Sequence, residues 1–199
     1  MRDLIEKKAY DGNISESEHT QLYTWILHWL LVYSFTAKDL SNQGIFATIL
    51  TQDLNGSNKF LDVIQMKSNG LAKYMIASFI LARGQPNTKY QVPQNSLENI
   101  ALPTALINVK EGNADVFSLF LQAIYEDYDL DRAIQLVEEM AKYAENDFLL
   151  NNYVFDIKKQ AYTLIFQTKC KLFRTVDTNE IAKVLSPLDQ ALEDIQRNL

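Results

Sequence analysis

Apolar residues recur at three- and four-residue steps through most of this 199-residue chain, which is the spacing of one face of an α-helix. The clearest series runs from Leu130 to Ala144, and another predicts a long helix from Phe155 to Phe173. Six glycines and four prolines are few for this length, which favours long helices over many short strands. We therefore predict an all-α fold in which helical hairpins form a helical-repeat array, or α-solenoid. No fixed sequence period is visible, so the repeats would be degenerate.

The most apolar stretch, LYTWILHWLLVYSF, runs from Leu22 to Phe35. It is too short to cross a bilayer and is predicted to be a buried helix, sandwiched between others. An aromatic cage or a catalytic histidine would use residues such as Trp25, His28 and Trp29. Because His28 has no acidic or nucleophilic partner visible in the sequence, we instead expect these aromatic side chains to pack in the core.

The stretch YEDYDLDRAIQLVEE, residues 125–139, contains part of the pattern of a calcium-binding EF-hand loop. Its acidic residues at ligand positions are Asp127, Asp129, Asp131 and Glu138. The sixth loop position, normally a glycine, is Arg132, which brings a cation to the supposed cation site. The apolar series also begins inside the loop, at Leu130, so we predict that Asp129 or Asp131 caps a helix instead. Tyr125, Tyr128 and Leu130 are expected to supply apolar contacts around the turn.

Charge and metal-ligand content argue against several classes of function. The net charge of −6 gives no electrostatic reason to bind nucleic-acid phosphates or an anionic membrane. His19 and His28 are the only histidines and Cys170 is the only cysteine, so we predict no metal, no cofactor and no internal disulfide. No pair of groups has catalytic spacing, so no enzymatic activity is expected. A reducing compartment, the cytoplasm, follows from the cysteine content. Cys170 is interpreted as a small residue packed on its helix, since no histidine lies near it in sequence.

The end of the chain carries two strong helix-start signals. Asp177 precedes a predicted helix from Glu180 to Leu185, and Ser186 precedes another from Pro187 to Leu199. A long helix followed by two short ones matches the order of a winged helix or a helix-turn-helix. Residues 174–199 contain three basic and five acidic side chains, and 3 minus 5 gives a net charge of −2, which disfavours binding to DNA.

Five stretches carry a more specific resemblance, at residues 24–35, 60–80, 125–139, 146–173 and 178–186. In this order they are similar to successive parts of the E-subunit family of eukaryotic translation initiation factor three. Members of that family contain a PCI domain, which is a helical-repeat array running into a winged helix. The most specific pieces are the WILHW segment at residues 25–29 and the Asn146-Asp147-Phe148 step. The resemblance covers about Tyr23 to Leu199.

The resemblance implies three parts of the chain. Residues 1–21 would be a polar N-terminal segment, 22–154 the helical-repeat part of the PCI domain, and 155–199 the winged-helix part without the strands of the wing. The family has further helices before the tryptophan-rich one and a wing at the end. We therefore expect either a fragment of a longer subunit or a shortened form.

The resemblance further implies a non-catalytic scaffold subunit that supports assembly of the small-subunit preinitiation complex and mRNA recruitment. Its expected partners are other subunits of initiation factor three, through PCI contacts, and the small ribosomal subunit; nothing in the sequence supports direct RNA contact or a membrane. The predicted partner interface consists of Gln190, Glu193, Gln196 and Arg197. Two alternatives stay open: a PCI scaffold subunit of the proteasome lid or COP9 signalosome, and a helix-turn-helix nucleic-acid-binding regulator.

Overall fold

The computed structural model describes residues 15–36, 64, 69–82 and 100–173. The helices within these ranges are α1 Glu16–Thr36, α2 Asn69–Ala82, α3 Leu102–Lys110, α4 Val116–Tyr125, α5 Leu130–Asn146 and α6 Val154–Leu172, with a 3₁₀ turn at Asn151–Tyr153. The described ranges contain no strand. The predicted all-α fold is confirmed.

From α3 onward each helix packs against the next one in the chain, which agrees with the predicted series of hairpins. Helix α2 packs against α3, α4 and α6, so it joins helices that are distant in sequence. The connections between α3, α4, α5 and α6 are short, as is usual between helices that pack as neighbours. One continuous core results, and it includes side chains from every described helix.

The helix ends follow from local side-chain chemistry. Asp115 caps α4 by accepting hydrogen bonds from the amides of Phe117 and Ser118 at 2.9 and 3.0 Å. Helix α3 carries Pro103 in its first turn. Amides of the first turn donate no hydrogen bond within the helix, so proline, which lacks the amide hydrogen, is tolerated there. Helix α3 is followed by Gly112, whose φ of 76° suits a residue without a side chain.

Helix α1 begins at Glu16, six residues before the apolar stretch that predicted it. Ser15 and Glu18 form a capping box: the Ser15 amide donates to Glu18 Oε2 at 2.8 Å, and the Glu18 amide donates to Ser15 Oγ at 3.3 Å. None of the described helices is long and apolar enough to span a membrane.

The prediction that Trp25, His28 and Trp29 pack in the core is wrong. Trp25 and Trp29 are each 66% exposed, and His28 is exposed as well. The buried side of α1 is instead a four-residue series, Tyr23, Leu27, Leu31 and Phe35. Ile26 and Leu30 are partly buried and also pack against the core, so the core lies along this side of α1 and the tryptophans, on another side of the helix, face solvent.

The second half of helix α2 is buried on all sides. Every residue from Met75 to Ala82 is buried. Phe35 of α1 packs edge-on against Tyr74 of α2 and against Tyr153, with ring centroids 6.0 and 5.7 Å apart. Edge-to-face packing is the favourable arrangement for such rings. These contacts tie the end of α1 to the centre of the molecule.

Helix α6 agrees with the long helix predicted near residues 155–173. Its buried residues are Ile157, Ala161, Tyr162, Leu164, Ile165 and Thr168. Leu172 is exposed. Cys170 is also exposed, so the interpretation that it packs on the helix is wrong. Both exposed residues lie in the last turn of α6, after Thr168, its last buried residue. The two predicted helices after residue 174 lie outside the described residues.

Candidate functional site

The acidic stretch forms a helix cap and not a calcium site. Asp129 Oδ1 accepts a hydrogen bond from the Arg132 amide at 3.0 Å, as the predicted cap of α5. Asp127 Oδ2 lies 3.6 Å from Arg132 Nη1, so the arginine occupies the place where a cation would be held. Within the described ranges, no group of three or more histidine, cysteine, aspartate or glutamate residues could hold a metal ion.

The turn before α5 differs from the prediction at one position. Tyr125 and Leu130 pack against the core as expected, but Tyr128 is 56% exposed. Its φ of 54° lies in the left-handed region, which a tyrosine rarely adopts. The Asp129 amide donates to the carbonyl of Ala123 at 2.9 Å across this turn. The tight turn therefore closes with the Tyr128 ring outside the core.

Glu138, the residue at the twelfth position of the supposed calcium loop, joins α5 to α6. Lys158 Nζ lies 3.0 Å from its carboxylate, and the Tyr162 hydroxyl donates to Oε1 at 3.0 Å. Burial, together with the hydrogen bond to the Glu138 carboxylate, raises the pKa of Tyr162. The carboxylate is thus used to hold two helices together.

A second polar cluster joins α2 to the end of α5, around Asp147. The Tyr74 hydroxyl donates to Asp147 Oδ2 at 2.9 Å, and Lys73 Nζ lies 3.4 Å from the same oxygen. Lys73 also donates to the Tyr143 hydroxyl and lies over the rings of Tyr74 and Tyr143, 4.6 and 4.8 Å from their centroids. Residues about seventy positions apart therefore form one network.

Asp147 is ionised within this cluster. Its side chain is only 8% exposed, and burial alone would raise its pKa. The hydrogen bonds from Tyr74 and from the amides of Leu149 and Leu150, with the charge of Lys73, outweigh burial and lower the pKa below its ordinary value. Partial burial likewise opposes the charge on Lys73, but the Tyr143 hydroxyl and the neighbouring Asp147 raise the pKa of that ammonium.

Phe148 follows this anchored aspartate and is 82% exposed. The Asn146-Asp147-Phe148 step therefore combines a residue that fixes the backbone with one that faces solvent. Asp147 Oδ1 holds the turn by accepting from the Leu149 amide at 3.0 Å. An aromatic side chain on a fixed turn is suited to contact with another molecule.

Five of the exposed large apolar residues in the described ranges lie on α1. They are Leu22, Trp25, Trp29, Val32 and Tyr33. We call the surface that they form the α1 outer face. At its start, Glu18, Gln21, Leu22 and Trp25 line an open depression of about 410 Å³. Exposed apolar residues that gather on one side of a helix are typical of a protein-protein contact.

The predicted interface residues Gln190, Glu193, Gln196 and Arg197 lie outside the described residues, so that interface stays a prediction. His28 and Cys170 were the candidate catalytic residues. His28 Nδ1 lies 2.7 Å from the Thr24 carbonyl of its own helix, and Cys170 is on α6, so the two do not form a polar cluster together.

The described residues instead form the Glu138 cluster, the Asp147 cluster and the α1 outer face.

Curated proteins from fungi, nematodes and a plant are similar to nearly all of this chain. A protein of Cryptococcus neoformans, named as the E subunit of eukaryotic translation initiation factor 3, is 28% identical over 189 residues, which are 94% of this chain and 39% of that protein. Over most of its length the chain is similar to the E subunit of eukaryotic translation initiation factor 3. Proteins of the same name from Caenorhabditis elegans and Arabidopsis thaliana are 25% and 22% identical, over 96% and 94% of this chain. No protein-family model matches the chain.

The matching part of the E subunit is limited in length. This chain spans about two fifths of the Cryptococcus, Caenorhabditis elegans and Arabidopsis proteins. The resemblance to the initiation factor family, drawn from short stretches such as WILHW and Asn146-Asp147-Phe148, is confirmed by similarity over 94% and 96% of the chain.

Sequence reasoning missed the Asp147 cluster and the exposure of the tryptophans. For the tryptophans a signal was present, because Leu22, Trp25, Trp29 and Val32 repeat at steps of three and four beside a separate series that starts at Tyr23. Two such series indicate a helix with two contact sides. For the cluster no local signal exists, since Lys73 and Asp147 meet only through the fold.

Proposed function

We propose that this chain is a non-catalytic scaffold part of eukaryotic translation initiation factor 3. In that role it supports assembly of the small-subunit preinitiation complex and recruitment of mRNA. The observation that carries the proposal is the similarity to the E subunit over 92–96% of the chain in fungi, nematodes and a plant. Its partners would be other subunits of the factor and, as part of the assembly, the small ribosomal subunit in the cytoplasm.

The chemistry of the polar clusters supports a non-catalytic role. A catalytic acid or base must be free to exchange a proton with a substrate. Asp147 is held by Tyr74, Lys73 and two backbone amides, and Glu138 by Lys158 and Tyr162. Each of these two carboxylates thus joins one helix of this chain to another. Such groups fix the relative positions of helices, which is what a scaffold requires.

The chain would act through its shape and through surfaces that become buried when other subunits bind. Stacked helices offer exposed faces on which neighbouring subunits dock, and the predicted winged-helix part would supply the PCI contact. We place that contact at Gln190, Glu193, Gln196 and Arg197. A matched set of four polar residues lies on the exposed side of α5; these are Gln135, Glu139, Lys142 and Glu145.

The test is purification of the tagged full chain from its own cells, followed by mass spectrometry and sedimentation with ribosomal subunits. We expect other initiation factor 3 subunits and the small ribosomal subunit to be recovered. Alanine at the four predicted interface positions should lower that recovery, whereas alanine at the four α5 positions should leave it unchanged. Because alanine is a good helix former, both variants should keep their helices. Circular dichroism can verify that they fold alike.

Recovery of proteasome-lid or signalosome subunits in place of initiation factor 3 would contradict the proposal. So would salt-sensitive binding of a specific DNA duplex, which a helix-turn-helix regulator would show. If the α5 variant lost partners as completely as the interface variant, the PCI contact would not lie at the four predicted positions.

A further inference from the structure

Helix α1 has a second apolar side that no described helix covers. Leu22, Trp25, Trp29 and Val32 follow one another at steps of three, four and three residues. This is the spacing by which one helix interlocks with another along a shared seam. All four are exposed, and the Tyr33 ring beside them is exposed too. The outer face therefore has the geometry of half of a helix-helix contact.

The start of the outer face has a defined electrostatic character. Glu18 and Trp25 both line the open depression of about 410 Å³. Ser15 fixes the Glu18 carboxylate by donating to Oε2 from its hydroxyl at 2.7 Å and from its amide at 2.8 Å. These two hydrogen bonds lower the pKa of Glu18, so the carboxylate is charged at neutral pH.

A cation is the group that complements this depression. The indole face carries partial negative charge and attracts guanidinium or ammonium groups, and the carboxylate adds a full charge to the same depression. Phosphate is repelled by the same carboxylate, which disfavours a nucleic acid.

The outer face of a second copy does not supply that cation. Residues 16–36 contain no lysine and no arginine, so two outer faces placed together would give the Glu18 carboxylates no compensating positive charge from α1. The occupant must come from a surface of different composition.

We propose that the α1 outer face binds an amphipathic helix of a partner protein, with apolar residues along the tryptophan seam and an arginine or lysine seated between Glu18 and Trp25. The inference rests on the proposed function, because it names a surface by which a scaffold would hold another subunit. The basic residue would set the direction and register of the partner helix, and the indole rings would supply most of the buried apolar area.

Tryptophan fluorescence of the full chain tests this directly, because the chain has two tryptophans and both belong to the outer face. The probes are synthetic helices of about three heptads with leucine at both seam positions. Two carry a single arginine, near one end or the other, and two carry glutamate in its place. We expect an arginine helix to shift the emission to shorter wavelength and to shield the tryptophans from iodide. The glutamate helices should bind at least about tenfold more weakly.

Two variants separate charge from packing. Glu18→Gln removes the charge but keeps a residue that suits this capping position, so α1 still begins normally. It should weaken the arginine helix about five- to tenfold and flatten its salt dependence. Trp25→Ala should weaken binding more than about tenfold, with Trp29 left as the reporter. Phe173→Ala, which changes an exposed aromatic residue just after α6, is the matched control and should change nothing.

Equal binding of arginine and glutamate helices would overturn the inference, as would an unchanged emission with all four. Self-association of the chain that Trp25→Ala abolishes would identify a second copy as the occupant and overturn it as well. The proposed function is tested separately. Recovery of initiation factor 3 subunits without helix binding refutes this inference alone, and helix binding without those subunits refutes the proposed function alone.

Discussion

Helices α1 and α2 are both rich in apolar residues, but they meet their surroundings differently. In α2 every residue from Met75 to Ala82 is buried, because α3, α4 and α6 surround it. In α1 the series from Tyr23 to Phe35 at four-residue steps is buried, with Ile26 and Leu30 partly buried beside it, and Trp25 and Trp29 on another side are exposed. Apolar composition therefore predicts burial only where neighbouring helices exist. Where they do not, it indicates an interaction surface.

The largest loss of stability should follow a substitution at the centre of α2. Phe79→Ala removes a ring that is 1% exposed and leaves a cavity among helices held on several sides. We expect the free energy of unfolding to fall by about 3–5 kcal/mol, measured by urea denaturation followed by circular dichroism. A loss below about 1 kcal/mol would mean that α2 is not enclosed and that the contrast with α1 is wrong.

The sequence was most informative where periodicity and capping chemistry act within one helix. For α5, the apolar series from Leu130 and the aspartate before it predicted the start and the cap, and both are confirmed. The same reasoning placed Trp25 and Trp29 in the core, because a helical period identifies the sides of a helix without saying which of them has a neighbour.

Contacts between distant residues lay beyond sequence reasoning. Tyr74 and Asp147 meet only because α2 packs beside the end of α5, and the geometry of that packing depends on the whole core. The Asn146-Asp147-Phe148 step could be singled out as specific, but not the partners of Asp147. A single sequence gives local chemistry; it does not give the pairs of side chains that the fold brings together.

The Asp147 cluster includes Lys73 and Tyr74, which are polar residues of the mainly apolar α2. Substitutions there should cause the second largest loss of stability. Asp147→Ala removes the acceptor for Tyr74, Lys73 and two amides, and should lower the free energy of unfolding by about 2–3 kcal/mol. Asp147→Asn keeps an acceptor for the turn and should lose about half of that. Asn146→Ala is the control, since the Asn146 side chain bonds only the Lys142 carbonyl of its own helix among the described residues. An unchanged free energy of unfolding in both Asp147 variants would show that the cluster does not stabilise the fold.

Acid should weaken the same cluster. Because the pKa of Asp147 in the folded protein lies below its ordinary value of 3.8, the stabilisation is complete above pH 3.8 and is lost as pH falls through the lower, folded value. The difference in unfolding free energy between the native chain and Asp147→Asn should therefore shrink below about pH 4. Chemical denaturation at a series of pH values measures it. A difference that stayed constant into that range would show that Asp147 titrates normally.

A smaller effect is expected at the cap of α5. Asp129→Ala removes the bond to the Arg132 amide and should lower the free energy of unfolding by about 1 kcal/mol. Asp131, exposed in the first turn, contributes mainly through the helix dipole, so Asp131→Ala should cost less than half as much. Neither variant should respond to calcium in thermal unfolding. A calcium-dependent rise in melting temperature that Asp129→Ala abolishes would restore the ion-site hypothesis.

The smallest effect on stability should come from changes at the two tryptophans of α1. Trp25→Ala and Trp29→Ala remove large rings, but each ring is 66% exposed, so little buried area is lost and alanine improves helix propensity. We expect each change to alter the free energy of unfolding by no more than about 0.5 kcal/mol, measured as for Phe79→Ala. Losses of several kcal/mol would place the tryptophans in the core after all. Small losses, set beside the large loss at Phe79, would show that the indole rings of α1 do not hold the fold together and leave partner binding as the role that accounts for them.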